Sequence, residues 1–582
     1  MHWNLISRKT LLIVVTLLAI LAGLLLDPAS QDSATVDETT LLSAGYTYWT
    51  GHRYLFAPEH PPLSQMLPAI PSLGMNIKLS PNAQALVDGR AGYSWTRPWF
   101  GPVRSWQELF PQGRDNWYYW ALPESQLFGQ MFVYDGANDG DRMIFWGRCV
   151  QILLTLGIGL FVFFWVRRAT GNDWAALVAL ALWVFNPNAL AHGHLITTDI
   201  SVTFAMTGAL FTFALLLEKP TLRRAIVCGI VTGVALVMKH TAVTLAPMYL
   251  LLTGLSGKQL KAQPIPLWKL AGLVVLAAWG VLMVVYFPHW SPAPPLPEVQ
   301  ANALGVPDWF QTFRTLLIPA DYFKGFALTL GHSKAGHENY LCGEWSHDGW
   351  WYYYPVALFL KSPVAFIVMI ILGAVTFLRN LKSAGKLEVT AWTAATLFLG
   401  IAMTSNVNIG IRHLLPVMPL LCVGIGCAIP RMTSPFVKKA LPILLSWQII
   451  IVALAYPLYL QFFSEAVGGA QNGHRYLVDS NYDWGQDAKR LKTFLTERSI
   501  QHIYLDYFGT QYSIEYLKIP NIRVTAEQAR QIKLGWLVVS ASQLMRPEWS
   551  WLRESHPPVA RVAYTLFVYR IGSTTTGTVT MQ

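Results

Sequence analysis

The stretch RRAIVCGIVTGVALVMKHTAVTLAPMYLLLTGLS, residues 223–256, decides how this chain is laid out. Its only charged or imidazole-bearing interruption is Lys239-His240. Read as one long tilted helix, it carries Lys258 and Lys261 to the side opposite Arg223-Arg224 and inverts every later basic linker. Read as two short helices turning at Lys239-His240, it keeps all the short basic linkers on one side, as the positive-inside rule requires. The hairpin is the consistent reading. It strands Lys239 on the other side, away from the bulk of the positive charge.

Outward from this hairpin, apolar runs suited to crossing ~30 Å of hydrocarbon fall near 11–26, 144–166, 174–191, 197–217, 267–287, 353–378, 388–404, 410–429 and 438–458. With the hairpin they make about eleven crossings. Arg8-Lys9, Arg167-Arg168, Lys219 with Arg223-Arg224, Lys258 with Lys261, Arg379 with Lys382 and Lys386, and Arg431 with Lys438-Lys439 all share one side, the cytoplasm. An odd number of crossings sends the C-terminus outside. The first run is followed by Asp27-Pro28 instead of a small-residue cleavage site, so it reads as a retained membrane helix.

The totals agree. The chain is 53% hydrophobic and 13% charged over 582 residues, which is no ordinary soluble enzyme. Its net charge of +11 sits in the linkers between spans, so nucleic acid is not an expected partner. Cys149, Cys228, Cys422 and Cys427 lie in or beside spans and Cys342 stands alone in a polar loop, so no disulfide framework is readable.

The expected architecture is a polytopic α-helical membrane domain, 1–464, and a C-terminal extracytoplasmic α/β domain, 465–582. A first outer loop, 27–143, carries Trp95, Trp99, Trp106 and Trp117-Tyr118-Tyr119-Trp120, which suit amphipathic helices at headgroup level. A second, 288–352, opens on a Pro-rich stretch from Trp290 to Pro297 and offers an amphipathic helix near 308–330. In the last domain, 476–478, 502–505, 534–539 and 562–569 read as strands, with a helix at 485–498. The run Trp350 to Tyr354 reads as an interfacial aromatic belt, with sugar stacking as the alternative. Asp479, Asp483 and Asp487 are spaced by four, unlike a calcium loop, and read as surface or capping residues.

Several polar residues stand at outer span ends, where ionisable groups are costly and mark function. Asp37-Glu38 opens a helix after the first span. There it complements the helix dipole or supplies a general base. Glu59-His60-Pro61-Pro62-Leu63 is either a Pro-fixed turn or a phosphate or divalent-metal contact. His192-Gly193-His194-Leu195-Ile196-Thr197-Thr198-Asp199 joins two spans. Capping accounts for Thr197 or Thr198 with Asp199 but not for two histidines. Lys239-His240 and Arg412-His413 either snorkel to headgroups or hold an anion.

These motifs, with Met238-Lys239-His240-Thr241-Ala242 and Asn408-Ile409-Gly410-Ile411-Arg412-His413-Leu414-Leu415-Pro416, resemble glycosyltransferase family 39. That group includes the protein O-mannosyltransferases and, more distantly, the lipid A aminoarabinose transferases. The tail from Tyr476 to Leu491 is similar to bacterial members of unassigned acceptor. The resemblance implies a GT-C fold, a polyprenyl-phosphate-sugar donor, and an active site at the outer face of the bacterial inner membrane, among its lipids. It matches Asp37 to the family's catalytic acid, with Glu38 beside it, and Asp199 to the second acidic motif. His60 stands where the aminoarabinose transferases carry a phosphate-contacting Lys, after a Glu matching Glu59, near which relatives show a metal. No cofactor is otherwise implied. Lys239, Arg412 and His413 join His60 as expected phosphate ligands, with Glu59, His192, His194 and His240 in support. The acceptor stays open among protein, glycan and lipid. A transporter or flippase of lipid-linked envelope glycans is the alternative, and an assembly scaffold a third reading.

Overall fold

The computed structural model describes residues 6–51, 56–88, 118–135, 138–257, 264–289 and 317–572. Trp95, Trp99, Trp106, Trp117, Lys258, Lys261 and the stretch 290–297 lie outside the described residues.

The chain is a multi-pass helical membrane protein. Among the described residues, five helices are long and apolar enough to cross a bilayer: Arg8–Gln31, Gly140–Thr170, Thr198–Glu218, Leu267–Tyr286 and Pro435–Leu454. The other expected spans hold shorter helices, such as Asp173–Val184 at 12 residues and Val417–Ala428 at 12. A 12-residue helix rises only about 18 Å, so the chain reaches further by non-helical turns. Such backbone is tolerated at membrane depth where protein covers it. From Ala175 to Val184 every side chain is buried. The outer helices instead leave Leu11, Leu12, Val275, Val284, Ile443 and Leu454 exposed, the pattern of a lipid-facing surface.

The stretch 223–256 is broken where expected. Helix Leu222–Met238 ends at Lys239, whose backbone is extended, and a 3-10 turn, His240–Thr244, leads into helix Leu245–Leu255. Thr232 and Tyr249 meet through their hydroxyls at 2.8 Å although 17 positions apart. One unbroken helix would hold them about 25 Å apart, so the two halves fold back on each other. Gly229 and Gly233 let the first half lie against Leu267–Tyr286; a Cβ would stand 2.5 Å from the Val274 carbonyl oxygen and 2.7 Å from that of Ala278.

The span expected at 353–378 is two helices, Tyr353–Leu360 and Val364–Arg379. The break holds Lys361, fully buried, with Nζ donating to the carbonyls of Leu460 at 2.9 Å, Phe462 at 2.5 Å and Asn481 at 2.6 Å. The aromatic run before it is only partly a belt. Trp351 and Tyr352 are exposed, whereas Tyr353 and Tyr354 are buried, with Tyr353 meeting the Asn481 side chain and Tyr354 donating to the Val407 carbonyl. In the second loop, the described amphipathic element is Ala320–Ala335.

The C-terminal region carries a five-stranded sheet, in spatial order Asn521–Arg523, Ile503–Asp506, Gly535–Ser540, Leu566–Ile571 and Ala560–Val562. The first two pairings are parallel and the last two antiparallel. Helix Ala488–Glu497 lies where 485–498 was expected. The expected strand 562–569 is instead a hairpin turning at Ala563 and Tyr564, both at positive φ. Residues 476–478 form no strand: they link two 3-10 turns, and Leu477 N–H donates back to Gly473. The short strand at 521–523 was not anticipated.

Helix Val36–Gly51, which carries Asp37, is seated on Leu63–Ala69 through Gly45. A Cβ there would lie 1.9 Å from the Gln65 carbonyl oxygen. Gly45→Ala is expected to cost about 1–3 kcal/mol and to lower the melting temperature in detergent. Unchanged melting would show that this contact does not seat the helix.

Candidate active site

Four charges from four separate segments converge. Asp37 lies in the first turn of Val36–Gly51, Asp199 in the first turn of Thr198–Glu218, Lys239 at the helix break, and Arg412 in the 3-10 turn Ile411–Leu414. Lys239 Nζ lies 2.5 Å from Asp199 Oδ1. Arg412 Nη1 lies 2.9 Å from Asp37 Oδ2 and 3.4 Å from Asp199 Oδ2. Arg412 also stacks 4.3 Å above the Trp484 ring. Its Nε is buried and unpartnered.

A cavity of about 230 Å³ opens beside this cluster and is lined by Asp37, Glu59, His60, Lys239, Arg412 and His413, among others. Asp199 stands behind the wall, 2% exposed, holding both cations. Glu59 is pushed up to about 7, first by burial and then by the charge of Asp37. His60 is pushed down to about 3 by burial and by the nearby Lys239 cation. It is therefore neutral at physiological pH, and its ring offers the cavity a hydrogen bond instead of a charge. Among the described residues no three His, Cys, Asp or Glu side chains are placed to hold a metal ion, Glu59 included.

The other expected residues lie outside the cavity wall. Glu38 is fully buried and turned to Arg148: Nε donates to Oε1 at 2.8 Å and Nη2 to Oε2 at 2.7 Å. Ile196 N–H adds 3.0 Å to Oε1 and Thr35 N–H 2.8 Å to Oε2. Burial alone raises its pKa, but Arg148 wins and holds it below the usual range. Glu38 is thus a brace, not a group facing a substrate. His194 contacts Asp32 at 3.2 Å, His192 packs edge-on to Trp484, and His240 sits against Tyr322 and Phe326. These histidines pack behind the site.

Sequence reasoning missed Arg148. It is buried inside a spanning helix, and all five of its N–H groups are used: two on Glu38 and one each on the carbonyls of Ala29, Asp32 and Ser33. Because Glu38 also takes the Ile196 N–H, this knot ties the Asp37 helix to the turn that precedes Asp199. A lone Arg within an apolar run was the available signal.

The tail motif around Tyr476–Leu491 supports the site from the other side. Asn481 Oδ1 accepts from Ile411 N–H at 2.9 Å, and Ser480 Oγ donates to the Ile409 carbonyl at 2.8 Å, so this motif seats the Arg412 turn. Asp483 and Asp487 are not surface residues, and Asp479 is half-buried. Asp483 and Asp487 are 1% exposed, and burial pushes them up to about 7 and about 6. Asp483 accepts from Ser542 N–H at 2.8 Å, and Asp487 pairs with Arg490 at 2.5 Å.

Residues 140–284 match the model of a family described as dolichyl-phosphate-mannose-protein mannosyltransferase. No curated protein matches the chain. Among solved structures, the chain is similar to ArnT from Cupriavidus metallidurans bound to undecaprenyl phosphate, at 13% identity and TM-score 0.44, covering 96% of this chain and 97% of that one. The same protein in its apo state gives 12% and 0.43 over the same shares, 96% and 97%. The Archaeoglobus fulgidus oligosaccharyltransferase tethered to an acceptor peptide gives 13% and 0.45, covering 95% of this chain and 72% of that one.

Arg148→Met leaves Glu38 buried without its cation and is expected to cost about 3–5 kcal/mol, read as lost melting temperature in detergent. The double variant Arg148→Met with Glu38→Met should recover part of that loss, the remainder being the Ala29, Asp32 and Ser33 carbonyls that stay unpaired. A double variant no more stable than the single would show that the ion pair is not what Arg148 supplies.

Proposed function

We propose that this chain is a GT-C glycosyltransferase that moves a sugar from a polyprenyl-phosphate donor to an acceptor hydroxyl, with inversion. The convergence of Asp37, Asp199, Lys239 and Arg412 beside a cavity carries the reading. The family match over 140–284, which takes in Asp199 and Lys239, supports it. The distribution of basic linkers supports a bacterial inner-membrane protein with its N-terminus in the cytoplasm and its site and C-terminal region outside.

In the donor, the sugar's anomeric carbon is bonded to a phosphate oxygen. When that bond breaks, the electron pair leaves with the phosphate, already a stable anion. No strong acid is needed, unlike a glycosidase with an alkoxide leaving group. What helps is fixed positive charge where negative charge grows. Lys239 and Arg412 supply it, held in place by Asp199 before the donor arrives. The neutral His60 lines the same wall, with His413 beside it, as hydrogen-bonding partners. The acceptor hydroxyl attacks from the opposite face and gives its proton to Asp37. Arg412 occupies one oxygen of that carboxylate, which fixes its orientation. The proton moves late, as the new C–O bond makes the hydroxyl acidic. No step is routed through a metal.

Asp37→Asn is expected to lower transfer about 100-fold or more while undecaprenyl phosphate still binds. The readout is mass spectrometry of envelope glycolipids and glycoproteins from cells relying on the variant; retained product removes Asp37 from the proton transfer. Glu59 adds a pH signature. Below about 7 it is neutral, and above that it carries a negative charge on the cavity wall. Affinity for undecaprenyl phosphate should therefore fall as pH rises through that value. Glu59→Gln should remove this part of the dependence. An identical profile in wild type and Glu59→Gln would place Glu59 away from the phosphate.

A further inference from the structure

A second cavity, of about 370 Å³, shares Asp37, Gln126, Ile409 and Arg412 with the first. The two therefore meet at the carboxylate assigned the proton. The remaining walls differ. The first cavity is closed by the loop and helix around His60 and His332. The second is closed by Tyr340 and Trp345 of the second loop and by Trp484, Tyr507, Phe508 and Arg523 of the C-terminal region.

The wall of this second chamber has a recognisable chemistry. Tyr340 and Trp345 lie with ring centroids 5.1 Å apart. Arg546 sits 5.3 Å above the Trp345 ring and 3.0 Å from Glu338. Charge is balanced: Arg412, Arg523 and Arg546 face Asp37, Glu338 and Asp479. Arg546 is already committed to Glu338 and to the Trp345 ring. Flat aromatic faces beside carboxylate, guanidinium and amide groups suit a sugar ring. Its C–H face packs on an aromatic, and neighbouring hydroxyls pair with planar two-pronged groups. The volume falls within the range of small-ligand sites.

We propose that this chamber is the acceptor site and that the acceptor is an uncharged saccharide, seated against Trp345 and Tyr340 with one hydroxyl presented to Asp37. The proposal rests on the glycosyltransferase reading. It assigns the C-terminal region the acceptor-binding half of the enzyme. The acceptor oxygen bonds to the anomeric carbon as the bond to phosphate breaks. The polyprenyl phosphate keeps that electron pair, and the acceptor proton passes to Asp37.

The test uses the purified full-length chain in detergent and a radiolabelled polyprenyl-phosphosugar fraction from cells lacking the protein. Glycan, protein and phosphorylated-lipid fractions of the envelope of those cells serve as acceptors. Label is expected in the glycan fraction, resistant to protease. Trp345→Ala is expected to raise the acceptor KM about 10-fold with little change in kcat, and undecaprenyl phosphate affinity should stay within about twofold of wild type. Trp345 Nε1 also donates to the Met545 carbonyl, so Arg523→Ala, at an exposed position, is the second variant and should raise KM in the same way. Label in protease-sensitive material or in phosphorylated lipid overturns the proposal, as does wild-type KM in both variants. No transfer to any fraction while undecaprenyl phosphate binds overturns the acceptor assignment alone. Failure to bind undecaprenyl phosphate overturns the donor reading with it.

Discussion

Asp199 is a carboxylate removed from water, and a charge in that position survives only if it is paired. Lys239 and Arg412 pair with it, one on each oxygen. That requirement draws together a helix start, a helix break and a 3-10 turn from distant parts of the chain. Arg412 then has reach left for Asp37, which brings in the helix after the first span. The cluster is thus more than a set of ligands placed on a finished fold. Satisfying the buried acid fixes where three polar turns must sit, and the cavity is what remains between them.

Two further buried cations do related work on the scaffold. Arg148 fills the space between the first helix, the Asp37 helix and the turn before Asp199, and satisfies backbone carbonyls that no helix continues to pair. Lys361 does the same at the broken span near Tyr353, with three carbonyls on one ammonium. Irregular backbone at membrane depth leaves carbonyls without partners, and a long side chain with several donors is an economical remedy. Removing either cation would leave several polar groups unsatisfied at once.

The C-terminal region is joined to the site through short-range contacts. Asn481 and Ser480 hold the turn carrying Arg412, Trp484 lies under its guanidinium, and Arg490 reaches Asp32 at 2.7 Å. Of the acids spaced like surface residues, Asp483 and Asp487 are buried in this seam and Asp479 is half-buried at the edge of a cavity. Their carboxylates are held by backbone N–H groups, hydroxyls and an arginine.

By itself the sequence determined that the chain crosses a membrane many times, where the stretch 223–256 turns back, and which short motifs hold the polar residues that gather at one cavity. Long apolar runs, the one-sidedness of basic linkers and the cost of a stray charge are properties of composition and order, so they can be read without coordinates. Asp37, Glu59, His60, Asp199, Lys239, Arg412 and His413 were legible for the same reason. The sequence could not show which polar residue of a motif faces the cavity. Asp37 and Glu38 are neighbours, yet their side chains leave a helix about 100° apart; one lines the cavity and the other meets Arg148. Nor could it show that His192, His194 and His240 pack behind the site, that residues 476–478 form turns, or that Asp483 and Asp487 are buried. These outcomes depend on partners far away in the chain. Only the tertiary structure, by bringing Arg148 to Glu38 and Asn481 to the Arg412 turn, decided which charges brace the fold and which line the cavity.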